Sequence, residues 1–232
     1  MRPGTFRQAV PRPPGARPGA PPPWEALPGA ARSHVPLAAV VAALEGLRDG
    51  GEPADWAVLV PLFERAGEAH VVLTRRARSL RRNPGQVAFP GGRRDEGEGL
   101  LAAALREAAE EVSLDASLVT CSAPLGVAPE ATSDRLVGAF AAVLAEAPLL
   151  RPNAAEVEAV LEVPLVALLA PGAAWSERWT SPGRAERTLY FFADGASLGD
   201  DLVWGLTARL LWALLERVAA ALPGLAAAPA LG

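Results

Sequence analysis

The segment from Gly91 to Leu114 constrains the fold more than any other part of this chain. It begins with two glycines and continues into apolar residues at helical spacing, namely Leu101, Ala104, Leu105, Ala108 and Val112. Apolar positions that recur every three or four residues predict an amphipathic helix with one face on a core. The glycine turn before this helix allows backbone to come close to its other face.

That other face carries three glutamates near the C-terminal end of the helix. Glu107 lies three and four residues before Glu110 and Glu111, so it repels both of them, and the helix dipole opposes the charge of all three. Clustered glutamates are most often a solvated face, and this alternative stands beside a functional one. Arg106 can orient the carboxylate four residues later. Hard oxygen ligands without His or Cys indicate Mg²⁺ or Mn²⁺ rather than zinc.

These residues fit a named pattern. The spacing G-x5-E-x7-R-E-U-x-E-E-x-G-U, in which U is aliphatic, is the Nudix box. The chain resembles Nudix hydrolases at Gly92, Glu98, Arg106, Glu107, Glu110, Glu111 and Leu114. Two positions depart from the pattern, because Ser113 replaces the second glycine and Ala108 is a small version of the aliphatic residue. Since glycine takes positive φ at no cost, we expect Ser113 to alter the conformation at the helix end.

The resemblance implies an α/β fold, an α/β/α sandwich with a mixed β-sheet, over about residues 34–222. It also implies a bound Mg²⁺ or Mn²⁺ that assists hydrolysis of a diphosphate. The roles implied for the box residues are metal binding by Glu107, Glu110 and Glu111, orientation of Glu110 by Arg106, and support of the site by Glu98.

Nudix enzymes often use an acidic residue beyond the box to complete the metal site or to serve as base. Glu156 is the candidate in this chain, and Glu158 and Glu130 are held in reserve. An ordinary surface position is the alternative for each of them, because charged side chains are usually exposed. The resemblance thus implies that the base is one of the three box glutamates or Glu156.

A loop rich in arginine precedes the glycine pair. Five arginines occur between positions 75 and 82. They would repel one another unless an anion lay among them, and guanidinium groups bind phosphate oxygens in bidentate geometry. A solvated basic loop is the alternative. An anion site beside a divalent cation site suggests a polyphosphate substrate.

The same stretch resembles a signature of the coenzyme A pyrophosphatases within the Nudix family, L-L-T-x-R-[SA]-x3-R-x3-G-x3-F-P-G-G. Val72 replaces the first leucine. The matching residues are Leu73, Thr74, Arg76, Ala77, Arg81, Gly85, Phe89, Pro90, Gly91 and Gly92. The Trp-Gly-x-Thr-Ala sequence at 204–208 also resembles this subgroup. The resemblance implies substrate binding by Arg76, Arg81, Gly85, Phe89, Gly91 and Gly92.

Coenzyme A (CoA), with its acyl or oxidised forms, is accordingly the expected substrate, and 4′-phosphopantetheine and 3′,5′-ADP are the expected products. A pyrophosphatase for ADP-ribose or dinucleotides is one alternative. A Nudix sensor that binds nucleotide without cleaving it is another, although such a sensor would be expected to lose a box carboxylate. Trp175 and Trp179 could stack on adenine, but packing is the more common role of tryptophan.

The chain divides into three parts by composition. Residues 1–33 are rich in proline and arginine and predict a disordered extension, residues 34–222 the Nudix domain, and residues 223–232 a frayed tail. Strands are predicted at 55–63, 69–74, 117–125, 136–144 and 188–193. Helices are predicted at 35–47, which Asp49-Gly50-Gly51 would close, and at 203–221.

The partner expected from these observations is a small molecule, with a homodimer as an option for the assembly. A net charge of −4 provides no basic field for a nucleic acid. One cysteine excludes an internal disulfide and fits a reducing cytoplasm. We expect no membrane segment and no signal peptide, because no apolar stretch of the required kind is present.

Overall fold

The computed structural model describes residues 6–8, 10–48, 53–130, 135–181 and 183–226. Its helices are α1 (Leu37–Leu44), α2 (Leu100–Val112), α3 (Leu165–Leu168) and α4 (Gly205–Ala226). Its strands are β1 (Arg17–Pro18), β2 (Trp56–Arg65), β3 (Glu68–Arg76), β4 (Val87–Ala88), β5 (Gly91–Arg93), β6 (Val119–Pro129), β7 (Leu136–Leu144), β8 (Val157–Pro164), β9 (Ala174–Ser181), β10 (Arg184–Phe192) and β11 (Val203–Trp204).

The larger sheet is mixed, as the resemblance to Nudix hydrolases implies. Its strand order is β4-β3-β2-β7-β6, and β5 and β8 pair with β2 and β3 respectively. β2 and β7 run parallel, with Trp56 opposite Val137 and Leu62 opposite Val143. The other pairs in this sheet are antiparallel. The central strands are buried on both faces and therefore consist of nearly continuous apolar residues.

Helices cover both faces of this sheet. Successive side chains of a strand point to opposite faces, so Leu59 packs with Ala104 and Val112 of α2, whereas Val60 joins the core formed with α1 and α4. The prediction of an α/β/α sandwich is confirmed. Within the described ranges, no helix combines the length and apolar character needed to cross a bilayer.

The end of α2 differs from expectation. Ser113 adopts the left-handed conformation, with φ of 57° and ψ of 35°. Its N–H donates to the Ala109 carbonyl at 3.0 Å, and the N–H of Leu114 donates to the Ala108 carbonyl at 3.3 Å. The serine thus takes the conformation that glycine prefers, and the expectation of an altered helix end is wrong.

The expectation of a disordered extension is wrong for residues 6–8 and 10–33. β1 pairs with β9, which extends a smaller antiparallel sheet of order β1-β9-β10-β11. Trp24 is 1% exposed, and its ring lies 4.9 Å from that of Trp212 and 6.3 Å from that of Phe192. Burial of this large aromatic side chain and the pairing of β1 with β9 contribute to ordering the segment, and its prolines reduce the conformational entropy that ordering costs. Residues 1–5 and 9 lie outside the described part.

Other expected boundaries shift or lie outside the described residues. α4 continues through position 223 to Ala226, so the tail prediction is wrong for 223–226, while 227–232 are not described. Leu222 is buried in the core beneath the last turns, which holds this helix end in place. The Asp49-Gly50-Gly51 turn and residues 131–134 of the loop after β6 also lie outside the described residues.

Truncating Trp24 tests whether the N-terminal segment belongs to the folded unit. Trp24→Ala should lower the free energy of unfolding by about 3–5 kcal/mol, because it leaves a large cavity beside Trp212 and Phe192. Denaturant unfolding measures the change. Leu149→Ala is the control, since Leu149 is 91% exposed and should change stability by about 0.5 kcal/mol at most. Equal stability of the two variants would contradict the packing described.

Candidate active site

Strand β5 brings the two glycines against both the sheet and α2. Gly91 and Gly92 pair with Val58 and Ala57 of β2. A Cβ atom on Gly92 would overlap the Glu107 carboxylate, and one on Gly91 would overlap the Ala57 carbonyl. Only glycine therefore allows this backbone to approach the acidic face of α2 so closely.

Glu111 is the deepest carboxylate of that face. Glu111 lies on the face of α2 that carries the glutamates, yet its side chain is only 3% exposed. The Gly91 N–H donates to its Oε2 at 3.3 Å, and the nearest guanidinium nitrogen of Arg76 lies 3.9 Å from its Oε1. Burial raises the pKa of Glu111 to about 7, and the charges of Glu107 and Glu156 add to that effect. The charge of Arg76 and the Gly91 hydrogen bond act in the opposite direction.

Glu107 lies beside Glu111 and is partly buried. Its carboxylate accepts a hydrogen bond of 3.0 Å from Nη1 of Arg106. Burial raises its pKa, the Arg106 hydrogen bond lowers it, and the charges of Glu110 and Glu156 raise it further. The negative charges of three carboxylates therefore repel one another at one site, namely those of Glu107, Glu111 and Glu156.

Arg106 holds several of these groups together. Its Nε and Nη2 donate to the two carboxylate oxygens of Glu98 at 3.0 and 3.1 Å, and Nη2 also donates to the Arg93 carbonyl at 3.0 Å. The hydrogen bonds that Glu98 accepts from Arg106 and from the Asp95 N–H lower the pKa of Glu98. The contact with Glu110 is longer, at 3.4 Å, and that side chain is 58% exposed. Arg106 therefore orients Glu98 and Glu107 more directly than Glu110.

The carboxylates fit a hard divalent cation by their chemistry. Glu111 is buried without a close ion pair, and Glu107 and Glu156 increase the negative charge around it. Such uncompensated buried charge is costly, and a cation with oxygen ligands would offset it. In the described ranges, no three acidic, His or Cys side chains are already arranged around a common point. Glu107 is engaged by Arg106, and Glu110 points toward solvent.

The three acidic residues beyond the box occupy different surroundings. Glu156 is exposed, but its charge acts on both Glu107 and Glu111. Glu130 accepts a hydrogen bond from the Asn83 amide at 3.1 Å and lines a neighbouring cavity. Glu158 pairs with Arg75 and Arg78 at 3.3 and 3.5 Å. Among these candidates, Glu156 is the one whose charge reaches the box carboxylates.

A cavity of about 220 Å³ opens beside the acidic face. Of the residues predicted to bind substrate, Arg76, Phe89, Gly91 and Gly92 line it. Arg81 is exposed outside it, and the next residue, Arg82, lines it instead. Further lining residues that sequence reasoning missed are Trp56, Arg135 and Trp204. Trp204 could have been found from the Trp-Gly-x-Thr-Ala pattern, whereas nothing in the sequence marks Trp56 or Arg135.

Gly85 supports the cavity loop from behind. It is buried, and its carbonyl accepts a hydrogen bond of 2.8 Å from the side chain of Gln8. Gln8 also donates to Asp201 at 3.1 Å and accepts from the Leu202 N–H at 2.8 Å. Asp201 in turn binds Arg75 at the end of β3. The N-terminal segment thus ties the arginine loop to the residues before α4.

Trp175 and Trp179 pack in the smaller sheet. Their ring nitrogens donate to Glu177 at 3.1 and 2.8 Å, and both rings contact Phe191. Neither lines the cavity. The packing role is therefore the one observed.

Comparison with known proteins agrees with this geometry. Residues 53–182, more than half of the chain, match the family model of the NUDIX domain. The chain belongs to the Nudix family. Nudix hydrolases generally use divalent ions such as Mg²⁺ or Mn²⁺ and act on small molecules.

Individual relatives and structures resemble this Nudix chain to different extents. The peroxisomal coenzyme A diphosphatase NUDT7 of Mus musculus is 36% identical over 157 residues, 67% of this chain and 66% of that protein. The chain thus spans just under two thirds of that relative. An uncharacterised Nudix hydrolase, NudL of Yersinia pestis (strain Pestoides F), is 34% identical over 163 residues, 70% of this chain and 78% of that protein.

A MutT/nudix family protein from Enterococcus faecalis shares the fold. Its crystal structure aligns with a TM-score of 0.50 and 18% identity, covering 75% of this chain and 65% of that one. This identity is low, so the likeness shows the fold alone.

Adding one methyl group at Gly92 tests the role of the close approach. In Gly92→Ala, the new Cβ should displace the Glu107 carboxylate and weaken Mn²⁺ binding about tenfold or more. Titration calorimetry with Mn²⁺ measures the dissociation constant. Gly99→Ala is the matched control, because nothing lies within 4 Å of a Cβ at Gly99. Equal Mn²⁺ affinity of the two variants would contradict a metal site at Glu107.

Proposed function

We propose that this Nudix protein hydrolyses the diphosphate bond of coenzyme A. The observation that carries the proposal is the continuity of one cavity with the acidic face of α2. Arg76, Gly91 and Gly92 line the cavity and contact Glu111 or Glu107 of that face. All three lie in the stretch that resembles the coenzyme A signature. The similarity to a relative named as a coenzyme A diphosphatase supports the same substrate.

The reaction is displacement at phosphorus by water. The water oxygen forms a bond to one phosphorus atom of the diphosphate, and the bond from that atom to the bridging oxygen breaks. The products are 4′-phosphopantetheine and 3′,5′-ADP. When bound, Mg²⁺ or Mn²⁺ neutralises diphosphate charge and makes water more acidic.

The residues of the chain divide the remaining tasks. Glu107, Glu110 and Glu111 would hold the cation, and one of them or Glu156 would take the proton from water. Arg106 keeps Glu107 in place through its 3.0 Å hydrogen bond and is itself held by Glu98. Arg76 is 3.9 Å from Glu111, so its guanidinium can bind a phosphate oxygen at the edge of the metal site.

Product analysis tests the proposed reaction. Purified protein incubated with coenzyme A and Mg²⁺ or Mn²⁺ should yield 4′-phosphopantetheine and 3′,5′-ADP, identified by mass. ADP-ribose and NADH are the parallel substrates. A large preference for ADP-ribose would overturn the assignment to coenzyme A. Tight binding of coenzyme A without any product would favour a sensor instead.

Replacing the buried carboxylate separates catalysis from folding. Glu111→Gln should lower kcat by at least about a hundredfold, because it removes a metal ligand while keeping the side-chain shape. Its melting temperature should stay within about 3 °C of the parent value. Glu216→Gln is the control, since Glu216 is exposed on α4. Full activity of Glu111→Gln would refute the assignment.

The proposal extends to the cellular location and the oligomeric state of the protein. A cytoplasmic location is supported by the single free cysteine, whereas the Mus musculus relative is named as peroxisomal. A homodimer stays a prediction that sedimentation can test.

A further inference from the structure

The cavity beside the metal site carries more positive charge than a diphosphate requires. Three arginines, Arg76, Arg82 and Arg135, line it together with one glutamate, Glu130. Only Arg76 lies near the box carboxylates, at 3.9 Å from Glu111. The bound cation and Arg76 would already face the diphosphate, so Arg82 can face a different anion.

The surroundings of Arg82 and Arg135 favour such an anion. Arg82 forms no ion pair with the part of the chain that the structure describes. The Arg135 guanidinium carbon lies 4.2 Å from the centroid of the Trp56 ring, and this contact orients its charge at the cavity wall. Glu130 accepts a hydrogen bond from Asn83, which ties this acidic group to the loop that carries Arg82.

Aromatic side chains form the rest of the wall. Trp56, Phe89 and Trp204 line the cavity, and planar rings of this kind stack with nucleobases, as guanidinium groups also do. The volume of about 220 Å³ is below the roughly 300–1000 Å³ typical of sites that enclose a whole ligand of this class. The cavity therefore accommodates one end of a dinucleotide-sized substrate.

We propose that the cavity binds the adenosine end of the substrate and that Arg82 and Arg135 bind the phosphate monoester on its ribose. This inference rests on the proposed function and names which half of coenzyme A enters the cavity. The 3′-phosphate supplies the second anion, which ADP-ribose and NADH lack. The pantetheine end is neutral and has no planar ring, so it would leave Arg82 without a counter-charge.

A binding experiment tests the inference without turnover. Calorimetry should show that 3′,5′-ADP binds about ten- to a hundredfold more tightly than 5′-AMP, because charged hydrogen bonds hold the extra phosphate. Arg82→Gln and Arg135→Gln should each remove most of that difference while leaving 5′-AMP affinity within about twofold. Arg209→Gln is the control, since Arg209 is exposed on α4 and does not line the cavity.

A second bisphosphate ligand tests which ribose oxygen carries the phosphate. 2′,5′-ADP carries the same charge on the neighbouring ribose oxygen, as NADPH does. Tighter binding of 3′,5′-ADP supports the coenzyme A assignment, whereas tighter binding of 2′,5′-ADP overturns it. Equal binding of 5′-AMP and both bisphosphates would overturn the inference altogether.

Kinetics with coenzyme A and 3′-dephospho-coenzyme A distinguish failure of the inference from failure of the proposed function. The parent enzyme should prefer coenzyme A in kcat/KM about tenfold or more, and both arginine variants should lose this preference through KM. Equal losses on the two substrates would overturn the inference while leaving the diphosphatase intact. No turnover of either substrate, with selective 3′,5′-ADP binding retained, would instead overturn the proposed function alone.

Discussion

The burial of Glu111 beneath the glycine turn is the constraint on which the site depends. A carboxylate that is nearly inaccessible to solvent normally has a cation or several N–H donors against it. Glu111 has one long hydrogen bond from Gly91 and a guanidinium at 3.9 Å. The fold therefore keeps an acidic group where its charge is poorly compensated, and α2 must pack tightly on β2 and β7 to hold it there.

Arg106 connects the buried part of the site to the loop at its surface. It joins Glu98, Glu107 and the Arg93 carbonyl, so the loop before α2 and the helix itself are held as one unit. Because this guanidinium donates to four polar partners, including the more distant Glu110, its main contribution is to fix geometry rather than to add stability. The less constrained Glu110 extends toward solvent at the rim of the site.

Much of this arrangement follows from local sequence, and the rest depends on distant contacts. Apolar spacing predicts α2, and the glycine pair predicts the close approach, because both are local effects. The order of residues 10–33 is not predictable from composition, since Trp24 is fixed by Phe192 and Trp212, far along the chain. The cavity likewise takes Arg82 rather than Arg81, in a loop where Asn83 has φ of 52° and binds Glu130.

The hydrogen bonds of Gln8 bear on where the functional unit ends. The family match stops at residue 182, yet Trp204 lies in the cavity wall, and Gln8 links the neighbouring Leu202 to Gly85. A fragment limited to residues 53–182 would keep the acidic helix. It would lose Trp204 from the cavity wall and the Gln8 side chain that binds the arginine loop. Substitutions at Gln8 or Trp204 are consequently expected to change the shape of the binding cleft, although both residues lie outside the matched region.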